Sequence, residues 1–315
     1  MNWKLGLNLY SSKLMLFNPS DLKKNDVKTE IENEKYHIYL ICKRKKIHYE
    51  KTEIEENIGY TTLFYLDDNF NKEYLRCSHP LDLLKINGIK NGVFNIDCGE
   101  EKNIEVKDQI LINSFYVIPD DIEGTTIKKS LPTDLEVMYV GQAFGRKKNK
   151  KIDYRIAKHE KIQKIALEIL DNSSNEEVLI IGVKIDVNDL STSIVEFNSQ
   201  TKKPTLESIF DLRDKASQRI TPGQEITIFE ASLINYFKPK FNEKYKSKFP
   251  STDFTSIDEI YKTDFDYSAM TLDTKPVRIR VFSDKIKEPK YIHSMHFPLK
   301  TKRDKKSFYE YLKEN

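Results

Sequence analysis

Three polar side chains fall where a helical pattern calls for apolar ones. Arg155 and His159 are four residues apart in the run 152–170, whose apolar residues recur at helical spacing. At about 100° per residue, both point into the apolar arc of that predicted helix. Glu230 stands in the same way inside the apolar stripe of a second predicted helix, 225–237. Burying such a charge without a partner costs about 3–5 kcal/mol, so these residues predict a functional site.

Short segments around these residues follow a distinctive order. The strand candidate 114–118 contains Tyr116, the strand candidate 137–143 contains Tyr139-Val-Gly, and the last segments are Arg155-x-x-x-His159, Glu230-x-x-Leu-Ile and Pro239-x-x-Asn242. In this order they resemble the GIY-YIG nuclease family, and the pattern is most similar to its type II restriction endonuclease branch. The resemblance covers about residues 112–245.

Two features depart from the family pattern. Ser-Phe precedes Tyr116 where the family usually has Gly-Ile, and a long segment with its own predicted strand, 178–185, and helix, 205–219, precedes the last motif. The altered first motif leaves a second interpretation open, namely a catalytically decayed GIY-YIG-like module that binds nucleic acid or a protein partner. A third is an unrelated α/β protein whose matches are coincidental.

The resemblance implies a metal-dependent endodeoxyribonuclease that hydrolyses phosphodiester bonds of double-stranded DNA as a restriction or phage-defence enzyme. This chemistry needs an activated water and a cation for the charge that develops at phosphorus. We expect Glu230 to hold Mg²⁺, with Mn²⁺ as the alternative ion, since Mg²⁺ often takes only one or two carboxylates. The planar guanidinium of Arg155 suits a phosphate oxygen, and a purely structural Arg155–Glu230 ion pair is the alternative.

Two tyrosines, a histidine and an asparagine complete the expected site. Tyr116 is the candidate to act on the nucleophilic water, and His159 the base that takes its proton, because a phenol with a pKa of about 10 needs a partner at neutral pH. The resemblance gives Tyr139 an orienting role and Asn242 a structural or leaving-group role. A single strand tyrosine is more often a packing residue, so the ordered combination carries the prediction.

Local basic clusters offer contacts to a phosphate backbone. The net charge of +3 says little, because 52 basic and 49 acidic residues nearly cancel. Clusters at 146–151 and 238–248 flank the motifs, where DNA cleavage needs positive charge. The expected nucleic-acid-binding residues are Arg146, Lys147, Lys148, Lys238 and Lys240. A solvated, lysine-rich surface is the alternative.

The pattern along the chain predicts an α/β (α+β) protein with three regions. Residues 1–110 are rich in strand patterns and are a candidate DNA-recognition or interaction domain. Residues 111–245 are the GIY-YIG-like domain, a small mixed sheet flanked by helices with an insertion at about 172–222. Residues 246–315 form a C-terminal extension. Strands are predicted at 36–42, 59–66, 93–96, 277–282 and 291–297, and a charged helix at 303–313.

Other sequence features bear on location and partners. No run of about 18 apolar residues exists, so no membrane span is expected, and the N-terminus lacks the pattern of a secretory signal. Cys42, Cys77 and Cys98 are odd in number and lack CxxC spacing, which is typical of reduced thiols in a cytoplasmic protein. A palindromic target would favour a homodimer. His293 and His296 are a weak candidate for a metal-binding pair.

Overall fold

The computed structural model describes a large part of the chain. The described residues are 3–55, 58–80, 86–90, 93–97, 103–107, 130–143, 160–172, 175–186, 191–196, 207, 222–244 and 267–298. Within them the strands are β1 (Trp3–Phe17), β2 (Ile38–Lys45), β3 (His48–Glu55), β4 (Ile58–Leu66), β5 (Lys72–Pro80), β6 (Ile86–Lys90), β7 (Val93–Asp97), β8 (Asn103–Lys107), β9 (Leu135–Gln142), β10 (Glu176–Ile185), β11 (Ser191–Glu196), β12 (Tyr267–Asp273), β13 (Val281–Phe282) and β14 (Ile292–Pro298). The helices are α1 (Asn25–Glu34), α2 (Glu160–Asn172), α3 (Pro222–Phe237) and α4 (Lys240–Lys244). Short 3-10 helices occupy Pro19–Lys23 and Lys275–Val277.

An eight-stranded mixed sheet forms the centre of this α+β fold. Its strand order is β13-β9-β2-β10-β1-β12-β14, and β11 also pairs with β1. The pairs β1–β12 and β13–β9 are parallel, and the other pairs are antiparallel. The 15-residue strand β1 pairs through its first part with β11 and β12 and through its last part with β10. One long strand therefore joins the two halves of a curled sheet.

All three regions predicted from the sequence contribute strands to this one sheet. β1 and β2 come from residues 1–110, β9 and β10 from 111–245, and β12 to β14 from 246–315. β10 falls in the predicted insertion, yet it lies between β2 and β1, and its residues 178–183 are all buried. Continuous burial is expected of a strand covered on both faces. This part of the predicted insertion is therefore core structure, and the predicted boundaries do not separate independent sheets.

Two apolar clusters cover the two faces of the sheet. On one face α3 packs through Ile226, Phe229, Leu233 and Phe237, so its predicted stripe is confirmed. On the other face α2 packs through buried Ile165 and Ile169, in a cluster that also contains Tyr39, Tyr139 and Phe241. The sheet thus has a helix on each side, and residues of β2 alternate between the two clusters as a strand requires.

Two smaller sheets lie outside the central one. Strands β3, β4 and β5 form an antiparallel sheet that directly continues the chain from β2, and β6, β7 and β8 form another. Leu63, Leu75 and Cys77 are buried on one face of the β3-β4-β5 sheet, against Leu131. Among the helices of the described residues, none is long and apolar enough to cross a membrane.

Most predicted elements within the described residues are observed. β2, β4, β7, β10 and β14 match predicted strands, and α3 and the described part of the first predicted helix match as well. The strand predicted at 277–282 is largely wrong, because Pro276 lies in a 3-10 helix and Arg278 has a φ of 51°. Proline lacks the N–H that a ladder needs, so only Val281–Phe282 is extended. The helix at 303–313, and that at 205–219 apart from Glu207, lie outside the described residues.

Candidate active site

Two tyrosines approach each other beside Gly141 at one end of the central sheet. Tyr39 on β2 is the direct pairing partner of Gly141 on β9. The ring centroids of Tyr39 and Tyr139 are 6.0 Å apart, with planes tilted by 37°. A Cβ atom at position 141 would lie 2.7 Å from Tyr139 Cε1 and 2.8 Å from Tyr39 Cζ. Only glycine therefore leaves room for both rings in this arrangement.

A β-bulge turns Tyr139 toward Tyr39. Ile41 pairs with Tyr139 and Cys42 pairs with Val137, so Met138 is an extra residue on β9. Residues two apart in a regular strand share a face, yet Val137 packs in the α3 cluster and Tyr139 in the α2 cluster. Bulges re-aim side chains in this way and are common next to active sites.

The side-chain amide of Asn242 binds the open edge of β9. Its Oδ1 accepts a hydrogen bond from Val140 N–H (2.8 Å), and its Nδ2 donates one to the Val140 carbonyl oxygen (2.9 Å). β13 covers only the first two residues of that edge, so Asn242 extends the ladder beyond it. Asn242 is 3% exposed, and losing it would leave two backbone groups without partners. The amide thereby fixes the strand that carries Tyr139 and Gly141.

Glu230 lies on α3, the helix that packs against β9. Its side chain is buried, as are Phe229 and Ala231 beside it. Gln142 Nε2, at the end of β9, donates a hydrogen bond to Thr227 Oγ1 over 3.2 Å, and Thr227 is about one helical turn before Glu230. The hydrogen bond therefore anchors α3 to the end of β9, on the face of the sheet opposite to the two tyrosine rings. A carboxylate placed there can coordinate a hard divalent ion.

A second buried carboxylate, Glu225, occupies the first turn of α3. It is buried, and burial, with a smaller contribution from the charge of Asp186, raises the pKa of Glu225 to about 7. The sequence did not single it out, because acidic residues are common in the first turn of any helix, where the dipole favours them. Glu225 is therefore a second buried carboxylate on α3, with which Glu230 can be compared.

His37 connects β2 to both of its neighbouring strands, two residues before Tyr39. Its Nδ1 accepts a hydrogen bond from Ile185 N–H (3.1 Å), which assigns the ring proton of the neutral form to Nε2. Its backbone N–H donates to the carbonyl of Val183 (2.9 Å), and its carbonyl accepts from Ala143 N–H (2.8 Å). Burial lowers the pKa of His37 to about 4, so the ring is uncharged at neutral pH.

Two lysines predicted to contact DNA lie where α3 ends and α4 begins. Lys238 ends α3 with its N–H bonded to the carbonyl of Ile234 (2.8 Å) and has a left-handed φ of 48°. Glycine is the usual residue at such a helix end, and a side chain in this conformation costs about 1 kcal/mol. Lys240 is exposed. A strained lysine beside an exposed one fits a role outside packing.

The structure describes five of the residues predicted for the site. Tyr139 and Asn242 are connected through Val140, and Glu230 lies on the helix packed against β9. Lys238 follows the end of α3, and Lys240 is the first residue of α4, which contains Asn242. The remaining predicted residues lie outside the described residues, and their roles stay predictions: Tyr116, Arg146, Lys147, Lys148, Arg155 and His159.

The two histidines considered as a metal pair do not form one. His293 is fully buried, and its Nε2 lies 3.1 Å from the carbonyl oxygens of both Val281 and Lys290, while its Nδ1 lies 3.2 Å from the Tyr236 hydroxyl. Both ring nitrogens therefore have structural partners. His296 is three residues along β14 and points to the opposite face. The described residues contain no group of three or more His, Cys, Asp or Glu side chains placed to hold a metal ion.

Comparisons with protein-family models, with curated proteins and with solved structures find no match for this chain. Tyr39 is the residue of this site that the sequence reasoning missed. A usable signal was present, because Ile38-Tyr39 repeats the Ile-Tyr of the family's usual first motif, whereas Phe precedes Tyr116.

Proposed function

We propose that the protein is a metal-dependent endonuclease of the GIY-YIG type that hydrolyses double-stranded DNA. The observation that carries this proposal is the pair of hydrogen bonds between Asn242 and Val140. These residues belong to two motifs 102 positions apart, each recognised separately by its likeness to the family. Coincidental matches would have no reason to meet, whereas two parts of one site would.

In this proposal Tyr39 takes the place of the first-motif tyrosine. It lies on the strand paired with β9, and its ring approaches Tyr139 across Gly141. A phenol pair held by the bulge, by glycine and by Asn242 is preorganised, which is the property that a group acting on an attacking water needs. Tyr116 was assigned this role from the sequence, and its position lies outside the described residues.

The remaining catalytic roles follow the chemistry of the side chains. Glu230 would hold Mg²⁺ or Mn²⁺, which would supply positive charge for the phosphate when bound. Arg155 would bond a non-bridging phosphate oxygen, and His159 would accept the proton of the attacking water through the tyrosine. Lys238 and Lys240 neutralise backbone phosphates near the cut.

His37 favours a second candidate function, a GIY-YIG-like module that binds nucleic acid or a protein without cutting. It stands where the family usually has glycine, and its buried ring ties β2 to β10 through Ile185. A glycine at position 37 would leave the backbone beside the tyrosines uncovered, whereas a side chain at that position covers it. Cleavage activity separates the two functions directly.

The test is a cleavage assay on phage, plasmid and genomic DNA with Mg²⁺, with Mn²⁺ and with a chelator. We expect discrete fragments that require the metal, and we expect Glu230→Gln to abolish cutting while DNA affinity stays close to that of the unsubstituted protein. Glu225→Gln is the matched control, since it changes another buried glutamate of the same helix, and it should still cut. DNA binding without cutting under every metal condition would favour the binding module and refute the nuclease.

A further inference from the structure

The β3-β4-β5 sheet has two chemically different faces. Residues two apart in a strand share a face, and the odd-numbered Leu63, Leu75 and Cys77 are buried together. The opposite face, which we call the outer face, carries Tyr60 and Phe64 of β4 and Lys72, Tyr74 and Arg76 of β5. Tyr74 is 56% exposed there. Lys51, Glu53 and Glu55 of β3 lie on this face too. Its β5 side is therefore aromatic and cationic, whereas its β3 side carries carboxylates.

The rings and cations of the outer face form two groups, one around Phe64 and one of Arg76 with Tyr60. Phe64 stacks on His48 (centroids 4.9 Å apart, planes at 15°) and approaches Tyr74 (6.3 Å, 53°). Lys72 Nζ lies 4.0 Å from the centroid of Phe64, and Arg76 Cζ lies 4.0 Å from that of Tyr60. Tyr74 stands between the two cations along β5, with Lys72 and Arg76 about 7 Å to either side at the rise of a strand.

The ion pairs of these two cations are loose. Lys72 Nζ is 3.4 Å from Glu50 Oε2, and Arg76 Nη2 is 3.6 Å from Glu55 Oε1, with all four side chains at least 37% exposed. Exposed pairs of this kind contribute little to stability. Both carboxylates belong to β3, at the far side of the sheet from β5. A phosphate that approaches along β5 can therefore compete with Glu50 and Glu55 for these two cations.

We propose that the outer face binds single-stranded nucleic acid, with a base stacked on the exposed ring of Tyr74 and the flanking phosphates on Lys72 and Arg76. Stacking on aromatic side chains beside a positively charged track is the common way in which proteins hold unpaired strands. This activity goes beyond the proposed cleavage of duplex DNA and does not depend on it. A duplex keeps its bases stacked on one another, so it cannot use the Tyr74 ring.

The experiment is fluorescence anisotropy of the full chain in chelator, which prevents metal-dependent cutting. The probes are labelled oligothymidine and oligouridine of about 16 nucleotides, the upper end of single-strand site sizes, and a duplex of the same length.

We expect Tyr74→Ala to weaken binding of a single strand about tenfold, the effect of losing one stacked base. Tyr74→Phe should retain the binding. Arg76→Gln should lower the slope of log affinity against log salt by about 0.7, one single-strand phosphate.

Phe70→Ala is the matched control, because Phe70 is an aromatic residue of the same sheet, 68% exposed, in the turn between β4 and β5. It should bind like the unsubstituted protein. Equal affinity of Tyr74→Ala and the unsubstituted protein, or equal losses in Tyr74→Ala and Phe70→Ala, would overturn the proposal, as would a Tyr74→Ala loss confined to the duplex. The two single-strand probes distinguish DNA from RNA as the source of the strand. Binding is measured in chelator, without cutting, so a failure of the nuclease proposal leaves this result readable.

Discussion

The two ends of strand β2 show opposite ways of handling polar groups. At its first residues, Tyr39 packs beside Gly141 and Tyr139, and the polar contacts are short, buried and uncharged, as in the Asn242 amide on β9. At its last residues, Lys43, Arg44 and Lys45 are each paired with a carboxylate of a neighbouring strand or turn. β2 thus has a rigid end with uncharged contacts, and a charged end at which each cation is paired with a carboxylate.

The charged end also holds a cavity of about 300 Å³, lined in part by Lys43, Tyr65, Glu136 and Glu176. Lys43 Nζ lies 2.9 Å from Glu176 Oε1 and 3.4 Å from Glu136 Oε2, so its charge is already matched. A cavity whose charges are satisfied within the protein has little left to offer a ligand. The cavity and the preorganised side chains therefore lie at opposite ends of β2, and the proposed chemistry belongs to the end with the preorganised side chains.

The largest expected effect belongs to the charged end, in the segment that leads into β9. Asp134 Oδ1 and Oδ2 each accept a hydrogen bond of 2.7 Å from the Arg280 guanidinium, and both residues are buried. Asp134→Ala removes both of these bonds from a buried cation, so we expect urea denaturation to show a loss of about 3–5 kcal/mol. Lys45→Ala breaks a pair whose Asp68 is 91% exposed and should cost less than about 1 kcal/mol. Similar losses in the two variants would contradict this distinction.

Acid should lower the free energy of unfolding, because His37, at the uncharged end of β2, resists protonation in the folded protein. Its pKa is lowered to about 4 in the folded protein and is about 6.5 in the unfolded chain. Above pH 6.5 both states are neutral and the stability is fully present. As the pH falls from 6.5 to 4, only the unfolded chain takes up the proton, so about 2 kcal/mol is lost by pH 5. Urea midpoints at pH 7 and pH 5 should differ less in His37→Gln; an unchanged difference would refute the assignment.

Replacement of Gly141 should destabilise the protein at the end of β2 that carries Tyr39. The added methyl group of Gly141→Ala meets both tyrosine rings at less than 3 Å, and overpacking of this kind costs about 1–3 kcal/mol. Gly223→Ala, on α3, meets nothing within 4 Å and should be neutral or stabilising by up to about 1 kcal/mol. Thermal unfolding of the two variants checks the difference, and equal melting temperatures would show that the tyrosine pair tolerates a side chain.

The smallest expected effect concerns Lys238. Lys238→Gly relieves a left-handed φ of 48° and should stabilise the protein by about 1 kcal/mol. Under the proposed function it also removes a phosphate contact, so the slope of log affinity for duplex DNA against log salt should fall by about 0.9. Calorimetry and a salt titration of DNA binding measure the two quantities. A more stable variant with an unchanged slope would remove Lys238 from the DNA-contacting residues.

The sequence predicted the local parts of this arrangement and missed the pairing between distant strands. The apolar stripes located α3, and the motif order singled out Tyr139, Glu230 and Asn242 before their positions were known. Periodicity also located β2. It could not show that β2 pairs with β9, about 100 residues later, because the partner of a strand is set by packing of the whole sheet.

Two further features of the fold could not be predicted from the local sequence pattern. The bulge at Met138 leaves no periodic signal, since a single extra residue only interrupts an alternation that was already short. β10 was interpreted as part of an insertion because family spacing was used to bound the domain, whereas its six consecutive buried residues belong to the centre of the sheet. A run of apolar residues with turn signals on both sides is the pattern that fits such a central strand.

The most direct test of the proposed role of Tyr39 is the single-turnover rate of metal-dependent DNA cleavage by Tyr39→Phe and Tyr36→Phe. The two tyrosines lie three residues apart, both are buried, and the Tyr36 hydroxyl has no hydrogen-bond partner among the described residues. We predict that Tyr39→Phe slows cleavage by about 10²–10⁴-fold, the usual contribution of a group that transfers a proton, and that Tyr36→Phe cuts at the unsubstituted rate. Cleavage by Tyr39→Phe at the unsubstituted rate, or equal slowing of both variants, would contradict the account.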